Sequence, residues 1–345
     1  MDEHNPQHDF ARLSPDLIID SVESLELHSD ARIFALNSYE NRVYQIGLDS
    51  SLDNPGLSHS GLDQSTSRLI GKYYRPDRWS DAQILEEHEF TEALAQLEIP
   101  VVAPLRLNQH TLHDYQGYRF ALYPQRGGRI AELDNPQHLQ QIGRFLGRIH
   151  LAAGQQLFAH RPSINLDEFA IASADYLLSQ QFIPDYLQDA YRSLSQDLIA
   201  LLQQRFAACP YQPIRLHGDC HAGNILWTDN GPHFVDFDDC RNGPAVQDLW
   251  MLLSGDEPHE QQQQLNHILD GYFDFAELPP AELQLVEPLR CLRQMHYACW
   301  LARRWDDPSF PMNFPWFNSN QYWEQHILEL REQYALLQHS PSLHI

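Results

Sequence analysis

Between residues 215 and 239 the chain reads RLHGDCHAGNILWTDNGPHFVDFDD, and side chains able to do acid–base or metal chemistry crowd its two ends. Asp229-Asn230-Gly231, set between two apolar runs, is a strong hairpin signal. A turn centred on Asn230 puts Asn224 and Asp236 six residues to either side, facing each other with Cβ atoms about 5 Å apart. An amide oxygen beside a carboxylate suits a hard divalent cation such as Mg²⁺, which takes oxygen ligands and keeps waters. Asp219 falls in the loop leading into the same end, where a free carboxylate can orient a hydroxyl and accept its proton. Other chemistries fit less well. A zinc site from His217, Cys220, His221 and Cys240 lacks a C-x₂-C pair, and Cys220 and His221 are adjacent. Cys220 as a nucleophile has neither base nor orienting group fixed beside it. It reads as a packing residue, and His217 as a loop histidine bonded to backbone.

A second group centres on Lys72 in RLIGKYYRP, the only lysine in the chain. It sits mid-strand, and a composition that otherwise uses arginine favours a specific role there over a solvated one. The next helix offers Glu86, Glu87, Glu89 and Glu92 as partners. Glu87 lies three residues before Phe90 and seven before Leu94, so it tracks the buried stripe. Glu86 is the second choice.

His217, Asp219, Asn224 and Asp236 resemble, in order and spacing, the kinase catalytic and metal loops, H-x-D-x-x-x-x-N followed by D-F. HGDCHAGNILW with FVDFDD is similar to the aminoglycoside-phosphotransferase and choline-kinase-like branch of the protein-kinase fold. LNSYENRVYQ, KYYRPDRW, ILEEH, FVDFDDCRNGPAVQDLWMLL and RRWDDPSFPMNFPW extend the likeness over about residues 34 to 318, and together most resemble the bacterial stress response kinase A family. That resemblance implies an α+β, bilobal protein-kinase-like fold with a small antiparallel-sheet N-lobe and a larger helical C-lobe. It implies a cytoplasmic, monomeric, ATP- and Mg²⁺-dependent serine/threonine protein kinase that also phosphorylates itself. Asp219 would be the base, Asn224 and Asp236 the metal ligands, with Asp236 counted as catalytic too. Lys72 would grip the ATP phosphates and pair with Glu87, adenine would lie on the backbone of Leu122 to Gln125, and Asp248 would brace the catalytic loop from behind.

Several positions depart from the kinase pattern. The phosphate-covering hairpin, LNSYENRVYQI, has no glycine, so Ser38, Asn41 and backbone amides stand in for them. Gly218 replaces the arginine of H-R-D, Asp238 replaces the glycine of D-F-G, and no A-P-E follows. The acids Asp236, Asp238 and Asp239 either widen the metal site or face a cationic acceptor, with a solvated Asp239 an equal alternative. Spacing alone does not identify the acceptor. A small-molecule kinase for choline, homoserine or an aminoglycoside shares the chemistry, and a nucleotide-binding pseudokinase is a third reading, disfavoured by the intact Lys72, Asp219, Asn224 and Asp236.

Stepping outward, these residues need a particular set of elements. Ser14-Pro15-Asp16 opens a helix. ARIFALNS and RVYQIGL form a hairpin, RLIGKYY a third strand, and IPVVAPLRL and YRFALYP two more. Ser80-Asp81 caps the helix DAQILEEHEFTEALAQL. Residues 49 to 67, rich in Ser, Asp and Gly, read as a long mobile loop. After Gly127-Gly128 the chain is mainly helical, which divides it into residues 1–124 and 125–345. With 345 residues the chain suits about two such domains. Lys and Arg total 23 against 47 Asp and Glu, a net charge of −24, which disfavours nucleic acid and anionic membrane as partners. The N-terminal MDEHNPQHDF lacks the basic start and apolar core of a signal peptide. Five cysteines, an odd number, fit reduced thiols in a cytosol.

Overall fold

Alternating apolar residues in RVYQIGL and RLIGKYY give one buried and one functional face to a sheet. In the computed structural model, which describes residues 10–59, 61–62, 66–339 and 343–345, these segments are β2 (Arg42–Leu48) and β3 (Arg68–Tyr73). With β1 (Ser29–Ala35), β4 (His113–Tyr115) and β5 (Tyr118–Pro124) they form an antiparallel sheet in the order β1-β2-β3-β5-β4. Leu69 and Tyr73 share one face of β3 and pack with Ile46, Leu48, Phe120 and Leu122 against Ile18 and Val22 of helix α1 (Pro15–Glu23). Each such buried side chain contributes about 1.5–3 kcal/mol. Gly71 shares this face by strand alternation, and having no Cβ it leaves room for Ile46 Cδ1, which a Cβ would approach at 2.8 Å. Lys72, one residue on, must therefore point to the opposite face.

That opposite face is covered by α2 (Asp81–Gln96), which begins at a capping box between Ser80 and Gln83. Its buried residues, Ile84, Glu87, His88, Phe90, Thr91 and Leu94, recur at helical spacing. The α2 register thus decides that Glu87 points inward.

The chain divides into two units, Met1–Ala131 with Gly223–Asp238, and Glu132–Ala222 with Asp239–Ile345. The hairpin Ile225–Thr228/Gly231–Phe234 belongs to the first unit because Leu226 and Trp227 pair with Ile130 and Arg129, and the Val102 amide donates to the Phe234 carbonyl. Two sequence expectations fail here. IPVVAPLRL is not a regular strand; Pro100 and Pro104 remove the amides a ladder needs, and two isolated bridges, Val101 to Phe234 and Leu107 to His110, are what it forms. The expected open loop is anchored through residue 59. Buried Asn54 accepts from the His28 amide at 2.7 Å, and Leu57, in a short 3₁₀ turn at Pro55–His59, joins the α1 core. Residues 60 and 63–65 of that loop lie outside the described residues.

The second unit is helical: α3 (Pro136–Ala153), α4 (Ala172–Ser179), α5 (Asp185–Ala208), α6 (Val246–Trp250), α7 (Pro258–Tyr272), α8 (Val286–Arg303), α9 (Ser309–Asn313) and α10 (Asn320–Gln338). A strand pair, Ile214–Leu216 with Arg241–Gly243, lies within it and carries the loop that begins at His217. Gly143 of α3 packs so close to the Ile268 carbonyl of α7 that no Cβ fits. Among the described residues no helix is long and apolar enough to cross a membrane.

His326 of α10 is buried with its ring stacked near those of Tyr322 and Tyr191, and burial pushes its imidazole down to about 4. An unfolded histidine titrates near 6.5, so the unfolded chain takes up the proton first. This contribution is complete above about pH 6.5 and is lost as pH falls towards 4. Urea midpoints should fall between about pH 7 and pH 5, and His326→Phe should flatten that slope; an unchanged slope would refute the assignment.

Candidate active site

β3 holds Lys72 between Val43 and Ala121 on the α2 side of the sheet. The residue is 6% exposed, and its ammonium meets three carboxylates. Nζ lies 3.4 Å from Glu87 Oε1, 3.3 Å from Asp236 Oδ1 and 3.0 Å from Asp238 Oδ1. Burial by itself would drive the lysine towards neutrality, but Asp238, Glu87 and Asp236 outweigh it and hold the ammonium well above its ordinary pKa. The Tyr74 ring lies 5.2 Å from Nζ, and its hydroxyl bonds His88 Nε2 at 2.7 Å. Behind the ion cluster is thus a bonded wall rather than a void.

The metal-loop candidates sit at the base of the hairpin. Ile225 pairs with Phe234 and Thr228 with Gly231, which leaves a two-residue loop, Asp229-Asn230, with Gly231 at φ +99°. The turn centre is therefore half a residue earlier than the sequence suggested, and Asn224 stands opposite Val235, whose amide donates to the Asn224 carbonyl at 3.0 Å. Asp236 follows with φ +60°, a left-handed conformation that aspartate tolerates better than most residues. Its side chain is 55% exposed. An amide oxygen and an open carboxylate are hard donors that fit a divalent cation such as Mg²⁺.

Asp238 was expected to widen the metal site or face a cationic acceptor. In the structure it is buried and bonded to two cations of the chain itself, Lys72 and Arg78. A carboxylate placed two residues after Asp236, where D-F-G has glycine, cannot be assigned from spacing because its partner comes from 160 residues away.

The turn between β1 and β2 is organised by arginine. Ser38 Oγ donates to the Asn41 carbonyl at 3.2 Å, so Ser38 closes the turn. Asn41 is buried and its Oδ1 accepts from the Arg75 amide at 3.0 Å. Arg75 also donates to the Glu40 and Tyr39 carbonyls at 2.8 and 3.1 Å and pairs with Glu40 Oε1 at 3.0 Å. KYYRPDRW contained the responsible residues, but periodicity does not show which carbonyls an arginine will reach.

In the second unit, the loop after Leu216 is fixed from beneath by Asp248 of α6. This wholly buried carboxylate accepts from the His217 and Gly218 amides at 2.8 and 2.9 Å and lies 3.2 Å from His150 Nε2, the place expected of a brace. Gly218 has φ +86°, and a Cβ there would run into the Asp239 carbonyl, so an arginine cannot replace it without moving the loop. Asp219 is 22% exposed, with Arg293 Nη1 donating to Oδ1 at 2.6 Å and His221 Nε2 3.4 Å from Oδ2. Burial opposes ionisation, yet His221, Arg293 and His217 hold this carboxyl far below the usual range. Arg293 was absent from the sequence reading because nothing local links α8 to this loop. Cys220 is buried, and burial with nearby Asp248 and Asp219 raises its thiol well above normal, which opposes a nucleophilic role. Among the described residues no three His, Cys, Asp or Glu side chains converge as a metal site of their own. Asp239 pairs with Arg241 at 3.2 Å.

The profile of the phosphotransferase enzyme family (APH) matches residues 34–283. Stress response kinase A of Escherichia coli K12 is 44% identical over 338 residues, 98% of each chain. A Salmonella typhimurium protein named serine/threonine protein kinase RdoA is 42% identical over 336 residues, 97% of each chain. Among solved structures, amicoumacin kinase hAmiN in complex with AMP-PNP, Ca²⁺ and Ami superposes with a TM-score of 0.69 at 20% identity, covering 95% of this chain and 94% of that one. Choline kinase from Cryptosporidium parvum gives 0.59 at 11% identity, covering 94% and 96%. These two likenesses establish the shared bilobal kinase-type fold.

The Asp238 arrangement has a measurable consequence. Asp238→Gly, which recreates D-F-G, leaves buried Lys72 and Arg78 short of a carboxylate and should cost about 3 kcal/mol or more. Urea unfolding reads this directly; a loss under about 0.5 kcal/mol would mean the pair is not structural.

Proposed function

Starting from a chain that belongs to the phosphotransferase enzyme family, and within it to the stress response kinase A family, we propose a serine/threonine protein kinase. It moves the γ-phosphoryl group of ATP to protein hydroxyls and to itself, with Mg²⁺, as a cytoplasmic monomer in a stress response. The observation that carries phosphoryl transfer is Lys72: one buried ammonium held by Glu87 of α2 and touching Asp236. The protein acceptor is supported by the name of the RdoA relative.

Each residue has a role that its surroundings permit. Lys72 neutralises the α- and β-phosphates, and Glu87 keeps its ammonium aimed when Asp236 is occupied elsewhere. The Ser38–Asn41 turn, pinned by Arg75, offers backbone amides to phosphate oxygens in place of glycines. Asn224 and Asp236 would hold Mg²⁺, and a bound ion would supply Lewis-acid stabilisation of phosphate charge. Asp219 aligns the acceptor hydroxyl and takes its proton, and Asp248 keeps that loop from moving. Positioning and electrostatics supply most of the acceleration.

A second reading keeps the chemistry and changes the acceptor. The hAmiN and choline kinase neighbours carry small-molecule names, so an amino alcohol or antibiotic acceptor is the alternative. Labelled γ-phosphate transfer, with protein and small-molecule products separated, discriminates them. Label on the enzyme or on a generic protein acceptor supports the protein kinase; label appearing only with choline, homoserine or an aminoglycoside overturns it. Asp219→Asn should lose roughly 100-fold or more in turnover with ATP affinity retained. Near-normal turnover would remove Asp219 as the base.

A further inference from the structure

We propose that Arg293 anchors an anionic group on the phosphate acceptor, so that the preferred acceptor is a serine or threonine in an acidic peptide. This rests on Asp219 as the base of a protein-directed kinase and adds the acceptor's charge.

Arg293 projects from the middle of α8 and donates to Asp219 Oδ1 at 2.6 Å. Its side chain is 43% exposed, so the pair faces solvent rather than core. His221 stands at the other oxygen. A hydroxyl that is to be deprotonated needs one of these oxygens, and Oδ2, with the longer contact, is the one it can take while Arg293 stays on Oδ1. With Nη1 keeping one N–H on Oδ1, the guanidinium has four further N–H donors to offer an acceptor. A carboxylate flanking the hydroxyl supplies one, with the bidentate geometry arginine prefers. A quaternary or primary ammonium placed there would instead meet a cation beside the base.

The surroundings agree. On α8, Arg290 is paired with Glu287 at 3.1 Å and Arg303 lies over Tyr176, so Arg293 is the arginine of this helix that stands at Asp219, in a chain whose net charge is −24. The acidic field of the whole protein repels anions, so local cations of this kind are what an anionic acceptor requires. One turn beyond Arg293, partly exposed Tyr297 stacks on Trp300 at 5.6 Å, and Trp300 meets Phe310 and Phe314. Met312, 79% exposed on α9, and Trp316 nearby in sequence offer further open apolar surface to a peptide side chain.

In the transfer step the acceptor oxygen forms a bond to the γ-phosphorus while the bond to the β–γ bridging oxygen breaks. ADP leaves with that oxygen, and the hydroxyl proton passes to Asp219 Oδ2. Arg293 is a positioning residue throughout, since it holds the acceptor and takes no proton.

The test uses the full-length protein with Mg-ATP and serine peptides identical except for flanking Asp, Ala or Lys. The wild type should favour the Asp peptide over the Lys peptide by roughly tenfold or more in kcat/KM. Arg293→Glu should reverse the order, and Arg293→Lys should keep it in weakened form. The same ratio in wild type and Arg293→Glu, or choline used better than the Asp peptide, overturns the proposal. Fluorescence anisotropy of labelled peptides with alanine at the acceptor position gives an independent readout. If no acceptor is phosphorylated but affinity still follows Arg293 charge, the anchor stands and the kinase reading falls. If transfer occurs and neither readout responds to Arg293, the kinase reading stands and the anchor falls.

Discussion

A lysine ammonium 6% exposed cannot stay ionised unless carboxylates surround it, and much of the first unit follows from that requirement at Lys72. Glu87 must come from a helix whose register turns it inward, so α2 has to lie across β3. Asp236 and Asp238 must come from a segment distant in sequence, so residues 223–238 return to the sheet unit. The cluster joins strand, helix and returning hairpin through one charge.

The cluster also separates permanent from exchangeable partners. Glu87 and Asp238 are buried, while Asp236 is mostly open. A buried carboxylate stays with the lysine because leaving it would strand a charge in low dielectric. An open one can turn to a metal at little cost. The same lysine therefore has two buried partners that hold it and one open partner that can be exchanged.

The second unit solves a related problem with backbone donors. Asp248 is wholly buried and is satisfied by two successive amides of the His217–Gly218 loop and by His150. The positive φ of Gly218 and the close approach of the Asp239 carbonyl explain why a side chain is not tolerated there. In the turn between β1 and β2 the replacement runs the other way: glycine flexibility is absent, and Arg75 with Asn41 holds the backbone instead. Rigidity by hydrogen bonding substitutes for freedom of conformation.

The local readings that survived were those carried by short-range rules. Caps at Ser14 and Ser80, the alternation in β2 and β3, and the α2 stripe that singles out Glu87 depend only on neighbours a few residues apart. The segment at 100–107 failed because two prolines outweigh an apolar run, and the hairpin register failed because turn length is settled by the closing pairs. The partners of Asp238 and Asp219 were not legible at all. Arg78 and Arg293 lie 160 and 74 residues away from them, and no periodicity encodes a contact at that separation. Residue type and spacing single out the candidate side chains and most of the elements that carry them. Only the tertiary structure decided which charges neutralise one another, because that depends on through-space distance and burial rather than on position along the chain.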